Sequence, residues 1–167
     1  HGVNRNNSTH IVDFNIDAEL FKPAVAAGTN PTPNAVNSNA TPLSSTPPQI
    51  RQVEHSPVNP TANLPVTITA RISDLDSLGT VSLHYQLVDP GSYIRKSDAS
   101  YSTSWTSLPM FDNGSSGDAV AGDSLYTCVM PAALQTHRRL VRYRITATDN
   151  LSNSITVPYA DDDQPNF

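Results

Sequence analysis

Apolar and polar side chains alternate along most of this chain with a period of two, the pattern of half-buried strands. Gln49–Pro57 reads as a first strand. Val66, Ile68, Ala70 and Ile72 alternate with Thr67, Thr69 and Arg71 in a second, and Val81, Leu83, Tyr85 and Leu87 mark a third. Trp105–Phe111 gives a shorter fourth and Leu125–Met130 a fifth. Val141, Tyr143, Ile145 and Ala147 alternate with Arg142, Arg144, Thr146 and Thr148 in a sixth, and Ile155, Val157 and Tyr159 mark a seventh. Asn-Pro, Asp-Pro-Gly, Asp-Asn-Gly and Asp-Asn turn signals separate them. No helical period of useful length interrupts the series, so the pattern predicts an all-β domain of seven strands in two packed sheets.

One more alternating segment stands apart. Val12, Phe14, Ile16, Ala18 and Leu20 fall on one face of residues 10–21, and Asp13, Asn15, Asp17 and Glu19 on the other. No turn folds this segment into a hairpin. Residues 22–48 follow, with Pro23, Pro31, Pro33, Pro42, Pro47 and Pro48 among Asn, Thr, Ser and Ala. That is a linker composition with polyproline-II character, able to span tens of ångströms at ~3 Å per residue. A lone amphipathic strand is not stable in water and must join a sheet edge. The expected organisation is an N-terminal arm (1–21) carrying a detached strand, a linker (22–48), a sandwich (49–160) and an acidic tail (161–167).

Four stretches carry a family likeness: Pro65–Asp74, Val81–Tyr85, Asp112–Thr127 and Val141–Asn150. Together they resemble a bacterial immunoglobulin-like or fibronectin-III-like module of secreted multidomain proteins, over about residues 48–160. Such modules stand beside lamin-tail-like and spore-coat-H-type kinase domains. Asn30–Asn37 resembles the tail that closes a lamin-tail-like domain. The resemblance implies a seven-stranded Ig/fibronectin-III-like β-sandwich, an extracellular setting and no catalytic activity.

Composition narrows the function. The chain has 167 residues, 37% hydrophobic, with 14 prolines and a net charge of −5. The acidic balance, without aromatics interleaved among basic residues, argues against nucleic acid. No apolar run is long enough to span a membrane. Cys128 is the only cysteine, which excludes an intrachain disulfide, and its mid-strand position predicts a buried, inert thiol. Asn6, Asn7, Asn39, Asn113 and Asn150 begin N-x-S/T sequons, candidate glycosylation sites if the chain is secreted. The chain opens on His1 and not on Met, as a processed product or a fragment does. His1 could hold copper through its amine and ring, but His10, His55, His84 and His137 have no spacing that completes such a site.

The strongest local motif is the Gly-rich run Asp112–Asp123. Carboxylates spread through such a loop can wrap a hard cation; they can equally bond their own backbone in a turn. In a sandwich of this topology Asp74, Asp76, Asp112, Asp118, Asp123 and Asp149 gather at one end, where like charges repel unless solvated or neutralised. Calcium is the expected cofactor, if there is one. Arg138, Arg139, Arg142 and Arg144 form a basic cluster open to phosphate or an acidic glycan, but Arg142 and Arg144 fit better as the solvent face of the sixth strand. Trp105 is expected in the core, with sugar stacking as the alternative. Tyr143 is placed like a tyrosine-corner residue. No nucleophile elbow or paired catalytic carboxylates can be identified.

The sequence points to a non-catalytic extracellular structural protein whose partners are copies of itself. Residues 10–21 would add a strand to the next subunit, head to tail, as the subunit of a surface filament. Burial of the five apolar side chains would contribute on the order of 5–10 kcal/mol before ordering costs. The alternative is a spacer or adhesive Ig-like module of a larger secreted protein, binding calcium or cell-surface glycans.

Overall fold

The structure, a computed structural model, describes residues 46–167. The strand expected over residues 10–21 lies outside them. Seven strands form: β1 (Gln49–Ser56), β2 (Val66–Ser73), β3 (Leu78–Val88), β4 (Thr106–Pro109), β5 (Leu125–Met130), β6 (Leu140–Asp149) and β7 (Ser154–Val157). Each lies on a segment where alternation predicts one. A single-turn helix α1 (Ala99–Thr103) precedes β4, and a 3₁₀ turn (Ala132–Leu134) follows β5.

The strands make two antiparallel sheets, ordered β1-β2-β5 and β4-β3-β6-β7. The apolar face of each alternating strand turns inward. Ile68, Ala70 and Ile72 of β2 and Cys128 and Met130 of β5 meet Leu83 of β3 and Ile145 and Ala147 of β6 in one cluster. Ile68, Ile72, Leu83 and Ile145 are fully buried. Because the side-chain period is two, a one-residue slip of β2 or β6 would turn its whole apolar set outward, so the core fixes the register. Gly79 sits at the irregularity where β3 meets the end of β6; a Cβ there would approach the Asp149 carbonyl oxygen to 2.9 Å. Only glycine lets the backbones come that close.

Part of the outer face of the four-stranded sheet, around Gln86 and Arg142, is covered, which corrects two expectations. Arg142 is buried and not on a solvent face, and Trp105 lies outside the inter-sheet core. The excursion between β3 and β4 folds back over the sheet and builds a ladder of cations and rings. Arg144 stands 4.0 Å from the Trp105 ring centroid and 5.0 Å from that of Tyr101. Arg142 stands 5.7 Å from Tyr101 and 5.0 Å from Tyr93. The Trp105 indole N–H donates to the Tyr101 carbonyl at 2.6 Å, and Arg142 Nη1 donates to the Ile94 carbonyl at 2.8 Å and to Gln86 Oε1 at 3.2 Å. Cation–π contacts strengthen as water is excluded. Burial, reinforced by Arg144, holds the nearby His84 ring below the usual histidine range. Its Nδ1 lies 2.7 Å from Ser107 Oγ.

Residues 161–167, set apart on sequence as an acidic tail, return to β6. Phe167 exchanges backbone hydrogen bonds with Tyr143 at 2.9 and 3.1 Å, and Arg144 Nε donates to the Pro165 carbonyl at 2.8 Å. Among the described residues no helix is long and apolar enough to cross a membrane.

Ile68→Ala should lower the unfolding free energy by about 2–5 kcal/mol in denaturant titration, through lost transfer energy and a cavity. Val58→Ala, at a side chain 78% exposed, should change it by less than about 0.5 kcal/mol.

Candidate functional site

The two ends of the sandwich differ in chemistry. At one end the β2–β3, β4–β5 and β6–β7 loops lie together, as the topology predicts: the Asn150 N–H donates to the Ser77 carbonyl at 3.1 Å and the Ile72 N–H to the Ser124 carbonyl at 2.9 Å. Of the expected aspartates, Asp112, Asp118 and Asp123 converge, with one carboxylate oxygen of each within 4.8 Å of the others. Asp74, Asp76 and Asp149 do not join them.

Backbone donors organise this trio. Asp112 Oδ1 accepts from the N–H groups of Gly122 (2.7 Å) and Asp123 (3.1 Å), and its Oδ2 from Ser124 (3.0 Å). Asp118 is buried and accepts the Gly114 N–H at 2.6 Å; Asp123 accepts the Leu125 N–H at 2.9 Å. Gly117 has φ +96° and packs its Cα face on Val129, so the loop needs glycine there for both conformation and space. These bonds hold the loop in shape. The same oxygens are the ligand set a hard cation would use.

The remaining aspartates act locally. Asp74 accepts the Asp76 N–H at 3.0 Å, while Asp76 Oδ2 is buried without a hydrogen-bond partner among the described residues. Asp149 is buried and caps the β6–β7 turn. It accepts from the Leu151 and Asn153 N–H groups at 2.8 Å and from Asn153 Nδ2 at 2.7 Å. Burial alone would raise its pKa, but the bonds from Asn153, Leu151 and Ser152 outweigh burial and hold it below the usual carboxylate range. Asn113 and Asn150 are exposed in these loops; Asn6, Asn7 and Asn39 lie outside the described residues, as do Val12, Phe14, Ile16, Ala18 and Leu20.

The opposite end carries a feature that sequence reasoning missed. A cleft of about 560 Å³ opens beside the β1 terminus, between residues 60–62 and 135–141. Its floor is apolar, made by Val66, Ile68, Met130, Val141 and Tyr143, and its rim carries His55, His137, Arg138 and Arg139. No carboxylate side chain lines it. Arg139 is paired with Asp89 at 2.7 Å, while His137 and Arg138 are exposed. Tyr143 stacks on Phe167, with ring centroids 5.2 Å apart, and its hydroxyl lies 3.3 Å from His55 Nδ1. That side-chain partner replaces the upstream backbone bond of a tyrosine corner. Burial pushes the Tyr143 hydroxyl up to about 12 and the Cys128 thiol up to about 11, so neither ionises near neutral pH. Cys128 is the buried thiol that its mid-strand position predicts.

The cleft also borders an open stretch of sheet. β7 pairs with β6 only from Ile145 to Thr148, and Phe167 takes the place opposite Tyr143. In an antiparallel ladder alternate residues direct both backbone groups to the same side. Tyr143 bonds away from β3, so Val141 does as well, and no described strand lies against it there. One signal for the cleft was present in the sequence: the basic run His137-Arg138-Arg139 just before the alternating β6 segment.

Because the folded-state pKa of Asp149 is depressed, its contribution to stability is present above the unfolded value of about 4 and is lost as pH falls through the folded value. Asp149→Asn should therefore be less stable than the parent at pH 7, and the two melting curves should converge in acid; a gap independent of pH would contradict this. The chemistry of both ends is read from these residues alone, since no family model, curated protein or solved structure matches the chain.

Proposed function

We propose that this chain is a non-catalytic extracellular structural subunit, built on a fibronectin-III-like sandwich, that joins copies of itself head to tail by adding residues 10–21 as a strand. The fibronectin-III-like reading is supported by the place of β4, which pairs with β3 and leaves a three-stranded sheet opposite a four-stranded one. The extracellular setting is supported by exposed sequons at Asn113 and Asn150.

The observation that carries the assembly is polarity. The described chain enters β1 at Gln49, which pairs with Ser73 at the aspartate-loop end. The cleft and the open Val141 edge lie about 25 Å away, at the far end of this eight-residue strand. A donor leaving one end and an acceptor at the other make a heterologous contact, which propagates instead of closing. Main-chain bonds supply affinity in such a joint and the alternate side chains supply specificity.

The second reading is a calcium-binding spacer module, favoured by the convergence of Asp112, Asp118 and Asp123. On that reading calcium raises the melting temperature in proportion to the logarithm of its concentration above Kd. A melting temperature that does not move with millimolar calcium rejects it.

The full chain should form concentration-dependent filaments by electron microscopy and sedimentation velocity, and deletion of residues 1–21 should leave a folded monomer. A full chain that stays monomeric at high concentration contradicts the assembly and favours the spacer reading.

A further inference from the structure

Resting on the strand-addition reading, we infer that the acceptor is the apolar cleft between residues 60–62 and 135–141, and that its occupant is the Val12–Leu20 face of a second copy of this chain.

Charge is the first argument. Residues 10–21 carry Asp13, Asp17 and Glu19 and no Lys or Arg. The cleft is rimmed by His55, His137, Arg138 and Arg139 and lined by no carboxylate. An acidic strand therefore meets only neutral or basic side chains in the lining, with Arg139 already paired to Asp89. Such complementarity selects the partner and its register more than it adds affinity.

Size and edge supply the second argument. A cavity of roughly 150 Å³ holds one benzene ring. A cleft of about 560 Å³ has room for three or four groups of that size, as Phe14, Ile16 and Leu20 would require. The backbone of Val141, on the side away from β3, supplies the edge against which a strand can bond. Three other edges are limited, as sheets that avoid random pairing must be. β1 is bulged between Arg51 and Glu54, β4 has four residues, and the free side of β5 is engaged by the bridge from Phe111 to Thr127.

The third argument separates a second copy from the chain's own arm. The described chain begins at the aspartate-loop end, opposite the cleft. The six prolines between residues 23 and 48 give the linker the composition of a spacer long enough to reach another copy.

Complementation between two full-length variants tests this. Phe14→Asp disables the donor and leaves the cleft intact; Thr61→Trp fills the cleft and leaves the donor intact. Each alone should be a folded monomer by circular dichroism and sedimentation. Mixed, they should give a one-to-one dimer and nothing larger. If the Phe14→Asp chain is monomeric but Thr61→Trp still polymerises, strand addition stands and the cleft is not the acceptor. If the parent chain never assembles, the strand-addition reading falls with it. If the parent is monomeric and Phe14→Asp lowers its melting temperature, the occupant is the chain's own arm and the inference is overturned. A surface variant serves if Thr61→Trp misfolds. Arg138→Glu should weaken assembly about tenfold and flatten its salt dependence; unchanged assembly would contradict the charge argument.

Discussion

Every backbone N–H and C=O in a sheet needs a partner, and a two-sheet sandwich cannot supply one at its outer edges. That constraint organises much of this molecule. The β1 bulge, the four-residue β4 and the Phe111 bridge onto β5 each limit an edge. β7 stops after pairing Ile145–Thr148, and the chain loops out and returns so that Phe167 satisfies Tyr143. Beyond Phe167 the edge of β6 opens at Val141, where the two sheets also part to form the apolar cleft. An open edge beside an apolar cleft is either a liability or a docking site. On the proposed assembly it is a docking site, its basic rim matched to the acidic residues 10–21.

The same logic explains why the two ends behave differently. At the aspartate end the loops satisfy themselves: Asp112 gathers three N–H groups and Asp149 caps its own turn. At the cleft end the Asn63 N–H donates to the Gln135 carbonyl at 2.7 Å, and the cleft lies beside that bond, between residues 60–62 and 135–141. On the outer face of the larger sheet, the Trp105–Arg144–Tyr101–Arg142–Tyr93 ladder buries Arg142, while Tyr93 itself stays exposed.

The strands were legible in the sequence because period-two alternation states directly which side of a strand is buried; Val66–Ile72 and Val141–Ala147 needed no tertiary information. Alternation does not say what covers the other side. Arg142 and Arg144 were placed correctly on the outer face of β6, but the excursion over residues 89–105 buries Arg142, and no local pattern announces that. Trp105 was misassigned for the same reason, since a large ring at a strand entry suits either face. Loop topology brought the right loops together at the aspartate end, yet short-range Asx bonds decided which carboxylates meet. The cleft was invisible because its walls come from segments far apart in sequence and its edge exists only where β7 ends.

Hydrogen exchange at Val141 tests the central claim most directly: it reads the acceptor edge itself, because the Val141 amide points away from β3. In dilute solution this amide should exchange quickly beside a protected Ile145. At concentrations where chains associate, the Val141 amide should become protected as a second copy's strand bonds to it. Fast exchange that persists in the assembled state, or protection already complete in the dilute monomer, would contradict the account.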